Sequence, residues 1–142
     1  AMGLKIRGNN NNNVYCLVGD GECHEGTIWE SANIAANNKL NNLIVIVDRN
    51  KSAQQLMPIE NMEKKWNAFG WKTFICNGHS KKSLDQTFKK IKKNFNKSPI
   101  CIIANTIKGK GVSFIEGHGP WHHKIPNDVE FDTILKELND KK

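Results

Sequence analysis

The sequence predicts an α/β fold: a doubly wound, mostly parallel sheet with helices on both faces. Two observations predict it. Short apolar runs of strand length alternate along the chain with longer stretches of helical periodicity. The runs at 14–18 (VYCLV), 43–47 (LIVIV) and 99–104 (PICIIA) are apolar throughout rather than alternating. Continuous apolar runs suit strands buried on both faces of a parallel sheet.

Each element follows in order. Residues 1–7 read as the tail of a helix. The five asparagines at 9–13 read as a surface turn. The first strand, 14–18, stops at Gly19. Residues 27–40 form a helix in which Ala32, Ala35 and Ala36 permit close packing, and 43–47 is the second strand. Residues 60–69 are helical with Met62, Trp66 and Phe69 on one stripe, and 72–76 is a third strand. Residues 82–96 are an amphipathic helix, with Leu84, Phe88, Ile91 and Phe95 at i, i+4, i+7 and i+11. After the strand at 99–104, residues 105–126 are irregular and rich in Gly and His. A last helix starts near Asn127, an N-cap with Glu130 three residues on as in a capping box. Trp66, Phe69 and Trp71 are expected in the core. On the helix at 27–40, Ile28, Ala32, Ala35 and Ala36 share the buried stripe. Trp29 and Glu30 lie off it, and a large aromatic on a wet face reads as an interface.

Composition narrows the function classes. Apolar residues are 38% and charged residues 25%, as in globular proteins. No apolar run approaches the ~20 residues that cross a bilayer, and no basic-then-apolar leader opens the chain. Four widely spaced cysteines without C-x-x-C suggest a reduced, cytoplasmic protein without disulfides, with Cys16 and Cys101 as small core residues. The net charge of +7 comes from 19 Lys against 2 Arg, beside 19 Asn. Seven of the lysines fall between Lys81 and Lys97, where they read as the solvated face of a helix. With no nucleic-acid motif in the chain, neither a nucleic acid nor a membrane is expected as partner.

Two turns carry chemistry. In a doubly wound sheet, ligands bind at the carboxyl ends of the strands. The first strand ends in Gly19-Asp20-Gly21-Glu22, a tight turn that points one carboxylate past the strand. The second ends in Asp48-Arg49-Asn50-Lys51-Ser52. Asn50 follows Gly21 by 29 positions, one strand–helix–strand unit, which brings Asp20 and Asn50 to neighbouring strand ends. A carboxylate with an amide oxygen is a hard donor pair, suited to Mg²⁺ or Ca²⁺ rather than Zn²⁺. Such an ion takes about six ligands and completes its shell with phosphate oxygens and water, so the pair reads as a metal bridge to a phosphorylated ligand. His118, His122 and His123 lack the partners of a zinc site. Gly109-Lys110-Gly111 lacks the frame of a P-loop.

The stretch GDGECHEGTIWESANIAANNKLNNLIVIVDRN resembles the thiamine diphosphate signature, GDG followed at this spacing by Asn. Glu25-Gly26, Trp29-Glu30 and the Leu-x-Asn-Leu run resemble transketolases in particular. MPIENMEKKWNAFGW and GKGVSFIEGHGPWHHKIPND resemble later segments of small-subunit bacterial transketolases, so the likeness covers essentially the whole chain.

The resemblance implies one thiamine diphosphate-binding domain over residues 1–142, the C-terminal part of a larger N-terminal-type subunit. It implies thiamine diphosphate and Mg²⁺ (or Ca²⁺) as cofactors. Asp20, Asn50 and the Ser52 carbonyl match the metal ligands. The Gly19–Glu22 turn matches the diphosphate contact, with the Gly21 N–H donating. His122 matches a histidine between diphosphate and substrate, and Lys108 lies beside the cofactor. Glu25 and Glu30 match acidic residues at a dimer interface, linked to the partner's activating glutamate. The implied reaction moves a two-carbon ketol unit from a ketose phosphate to an aldose. It needs a pyrimidine-binding, C-terminal-type partner subunit, in a dimer of heterodimers. The alternatives are a transferase for unusual sugars and an inactive interaction module with the same fold.

Overall fold

The computed structural model describes residues 1–8, 11–55, 57–92, 98–117 and 119–140. Two compact units divide it, residues 1–106 and 107–142.

The first unit is built on four parallel strands: β1 (Val14–Gly19), β2 (Leu43–Arg49), β3 (Lys72–Asn77) and β4 (Ile100–Asn105). They lie in the order β1-β2-β4-β3. Among the described residues its α-helices are α1 (Met2–Ile6), α2 (Gly26–Asn37), α3 (Met62–Ala68) and α4 (Lys81–Lys92). The strands project side chains alternately to two faces, and each face has its own core. On one, Val18, Val45, Val47, Cys101 and Ile103 pack with Ala32 and Ala35 of α2 and Met62 and Trp66 of α3. On the other, Ile44, Ile100, Ile102 and Ala104 pack with Ile91 of α4, flanked by Leu84 and Phe88. Helices thus cover both faces, and the parallel α/β expectation holds. Residues 100–104 of β4 are all buried, the pattern of a central strand. Phe95, expected on the stripe of α4, lies outside the described residues, as do Asn9 and Asn10 of the asparagine run.

Two expectations are corrected. The run at 14–18 is not buried on both faces. β1 is an edge strand pairing only β2, with Tyr15 55% and Leu17 72% exposed, and Val18 its one buried residue. Cys16 is accordingly exposed rather than a core thiol, whereas Cys101 is buried. An apolar run of strand length does not distinguish a central position from an edge.

Trp29 is also not a bare interface aromatic. Its ring lies 5.1 Å from those of both Trp66 and Phe69, and its Nε1–H donates to the Cys23 carbonyl at 2.8 Å. Trp66 in turn meets Trp71 edge-on at 4.9 Å, and the Trp71 Nε1–H donates to the Ala32 carbonyl at 2.9 Å. This chain of aromatics locks α2 to α3. Offset and edge-on ring pairs contribute about 0.5–1.5 kcal/mol each beyond the area they bury.

The second unit carries α5 (Asp128–Asn139). Its capping box is present: Glu130 N–H donates to Asn127 Oδ1, and Asn127 N–H donates to the Glu130 carboxylate, both at 2.9 Å. Lys124 also pairs with Glu130. These contacts, the Lys124 hydrogen bond first, hold the half-buried Glu130 carboxyl below its usual range. The Ser113 N–H and hydroxyl both donate to the Glu137 carboxylate, each at 2.6 Å, which ties the irregular segment to α5. Gly109 has φ +69°, and a Cβ there would lie 2.3 Å from Ile115 Cγ2, so only glycine fits.

Candidate functional site

The carboxyl ends of β1 and β2 are held side by side. Gly19 pairs with Asp48 in register, and the Asp20 N–H donates to the Asp48 carbonyl at 3.1 Å. Asp20 then turns into a 3₁₀ turn, Glu22–His24. Its carboxylate is 5% exposed, and Oδ2 accepts the Lys51 backbone N–H at 2.7 Å. This bond sets the first turn against the second, as the spacing of Asp20 and Asn50 predicted.

The second turn has its own internal fixing. The Ser52 N–H donates to Asn50 Oδ1 at 2.9 Å, an Asx-type turn. Lys51 between them is in the left-handed region, φ +65°, which costs a non-glycine residue about 1–2 kcal/mol. That conformation aims the Lys51 N–H back at Asp20.

Glu22 faces its own turn: its carboxylate accepts the Gly19 N–H at 2.6 Å. An anion bonded in this way shapes the turn and has nothing to offer another anion. Gly21 is exposed, and a Cβ there would sit 3.6 Å from that of Ala53, so the two turns also meet at this point. Cys23, 1% exposed, lies beneath them, with Sγ 3.6 Å from the Gly19 carbonyl. Burial pushes its thiol up to about 11, aided by the negative charges of Asp20 and Glu22.

Several polar atoms here are buried without a partner: His24 Nε2, Arg49 Nε and Ser52 Oγ. A buried donor or acceptor left unpaired costs about 1–3 kcal/mol. His24 follows the first turn, and Arg49 and Ser52 flank Asn50 in the second, so all three belong to the segments that carry Asp20 and Asn50. The oxygens these two turns carry include the Asp20 carboxylate, the Asn50 amide oxygen and the Ser52 carbonyl. All are hard oxygens, which suit Mg²⁺ or Ca²⁺. Among the described residues, no three His, Cys, Asp or Glu side chains cluster.

The other predicted residues are placed as follows. Glu25 is the N-cap residue of α2 and Glu30 lies on that helix; both are exposed. Lys108 and His122 belong to the second unit. Lys108 is half-buried, and its carbonyl accepts the Gly117 N–H at 2.9 Å. His122 is exposed in the 3₁₀ turn Pro120–His122, with its ring edge-on to His123 at 4.4 Å. Beside it, Trp121 meets Phe114 at 5.3 Å and carries Lys124 4.3 Å from its ring centre. His118 lies outside the described residues.

Sequence reasoning missed Asp48 and Thr106. Asp48 accepts the Asn50 Nδ2–H at 3.2 Å and the Thr106 hydroxyl. The signal was a carboxylate closing an otherwise apolar strand.

Comparison with known proteins identifies the family. The family model described as "Transketolase, thiamine diphosphate binding domain" matches residues 7–137. One of the subunits of the apulose-4-phosphate transketolase of Actinobacillus succinogenes is 41% identical, over 99% of this chain and 53% of its own length. A 6-deoxy-6-sulfo-D-fructose transketolase subunit of a Clostridium species is 41% identical, over 89% of this chain and 48% of its own. The chain therefore spans about half the length of these relatives. In structure, a transketolase from Campylobacter jejuni superposes with a TM-score of 0.80 at 28% identity, covering 91% of this chain and 21% of that one. The chain belongs to the transketolase family, as its thiamine diphosphate-binding domain.

Proposed function

We propose that this chain grips the diphosphate of thiamine diphosphate through Mg²⁺ or Ca²⁺, as part of an enzyme that moves a two-carbon ketol unit from a ketose phosphate to an aldose. One observation carries the reading: the buried Asp20 carboxylate is held at 2.7 Å by the N–H of Lys51, between Asn50 and Ser52. Asp20, Asn50 and the Ser52 carbonyl would hold the metal. The Gly19–Gly21 backbone would meet the diphosphate, with Glu22 shaping the turn. Lys108 and His122 are proposed for the phosphate and substrate side. When bound, thiamine diphosphate supplies the nucleophilic carbon that carries the two-carbon unit. The protein contributes binding and orientation.

Two of the relatives are named as subunits, which supports a partner chain. That partner would hold the pyrimidine ring, in a dimer of heterodimers in the cytoplasm. Among the described residues no helix is long and apolar enough to cross a membrane. Glu25 and Glu30, both exposed, would face the second copy of the assembly. The same two relatives are named for apulose 4-phosphate and a sulfofructose, which favours a donor outside the common sugar phosphates.

The test is reconstitution. The 142-residue chain alone should transfer no ketol unit. The larger subunit to which this chain is proposed to belong, mixed with its partner chain, should act on one of a panel of ketose phosphates, branched ones among them, and sulfonated ketoses. Transfer by the isolated chain would refute the two-chain reading.

A further inference from the structure

The far side of the Asn50 amide is held as closely as the near side. Asn50 Nδ2–H donates to Asp48 Oδ2 at 3.2 Å, while Asn50 Oδ1 accepts the Ser52 N–H at 2.9 Å. Flipping the amide would set its oxygen against the Asp48 carboxylate and its NH₂ against the Ser52 N–H. Both contacts would be repulsive, so one orientation is enforced.

Asp48 is itself held by a third strand. The hydroxyl of Thr106, the residue after β4, donates to Asp48 Oδ1. Asp48 and Ala104 are register partners, and the Thr106 N–H continues the ladder to the Arg49 carbonyl at 3.1 Å. The turn after β3 presses on Thr106 in turn. A Cβ on Gly78 would lie 2.4 Å from Thr106 Cγ2 and 3.3 Å from Ala104 Cβ, so that turn has no room for a side chain.

We infer that Asp48 and Thr106 are positioning residues: the relay Thr106–Asp48–Asn50 fixes which face of the Asn50 amide meets the cation. The inference rests on the reading of Asp20, Asn50 and Ser52 as a cation site. What matters is the acceptor at position 48 and its anchor at position 106. The negative charge of Asp48 does not matter in itself. An asparagine at 48 keeps the relay, its oxygen accepting from Asn50 and its NH₂ donating to the Thr106 hydroxyl. Partners that orient a metal ligand typically change metal affinity about 10–100-fold when removed.

The test uses Mn²⁺ as probe, with thiamine diphosphate present. Free Mn²⁺ is read by electron paramagnetic resonance, and melting of each variant by circular dichroism. Asp48→Ala is expected to weaken Mn²⁺ binding about 10–100-fold, and Thr106→Val about 10-fold. Asp48→Asn and Thr106→Ser should retain most of the affinity. A merely structural role would not produce that split between variants of matched melting temperature. Wild-type affinity in Asp48→Ala, or equal losses in Asp48→Asn and Asp48→Ala, would overturn the inference. Asp20→Ala is the control: if the unsubstituted chain takes up no Mn²⁺, or Asp20→Ala binds as well, the cation site itself is wrong and the relay falls with it.

Discussion

Lys51 donates its backbone N–H to the Asp20 carboxylate at 2.7 Å, across the ends of two neighbouring strands. The bond needs a left-handed residue between Asn50 and Ser52, and Lys51 adopts φ +65° to make it. The side chain of Lys51 is exposed and does nothing for the turn.

Lys51→Gly should therefore leave cofactor binding intact. It removes a left-handed strain of about 1–2 kcal/mol and adds the chain entropy of glycine, about 0.5–1 kcal/mol, so stability should stay level or rise slightly. Lys51→Pro removes the N–H and cannot reach positive φ. It should destabilise the chain and weaken Mg²⁺-dependent binding, read by thermal melting and calorimetry. Equal behaviour of the two variants would mean the turn is not set by this bond.

Trp29→Ala should lower the melting temperature of the isolated chain. Truncating a packed tryptophan costs about 3–5 kcal/mol, and Trp29 touches Trp66, Phe69 and the Cys23 carbonyl. Helical spacing alone puts this ring on a free surface. An unchanged melting temperature together with weaker binding to a partner chain would restore the interface reading.

The cysteines report the edge strand directly. At neutral pH an uncharged alkylating reagent should modify Cys16 quickly and leave buried Cys23, Cys76 and Cys101 protected until unfolding. Cys23 adds a pH dependence. Its folded pKa is about 11, above the ordinary 9.0, because burial disfavours the thiolate. The stability it contributes is fully present below pH 9.0 and falls as pH rises towards 11. Denaturant titrations of the chain and of Cys23→Ala between pH 8 and 11 should converge as pH rises. Parallel curves would contradict the buried, neutral thiol.

How much was legible follows from what each signal encodes. β2 and β4 were readable because strands buried on both faces leave unbroken apolar runs, and β4 is one. β1 carries the same kind of run yet lies at the edge, since hydrophobicity does not state neighbours. Asp20 and Asn50 were readable because their spacing is one strand–helix–strand unit, and β1 and β2 are adjacent. The Asp48–Thr106 bond was not, because it depends on β4 lying beside β2, in the order β1-β2-β4-β3. Trp29 was misjudged for a related reason: its partners Trp66 and Phe69 come from α3 and the residue after it, and no periodicity within α2 reveals them.

The central claim is that Asp20 and the Asn50–Ser52 turn hold a cation that in turn holds the diphosphate. Calorimetric titration of thiamine diphosphate into the 142-residue chain, with Mg²⁺ and then with chelator, tests it most directly. Binding should require Mg²⁺, because two side chains and one carbonyl supply only half of the roughly six oxygens the ion takes. Asp20→Ala should abolish that requirement together with the binding. Equal binding in chelator, or an undiminished Mg²⁺ response in Asp20→Ala, would contradict the account and leave the Gly19–Gly21 turn a purely structural one.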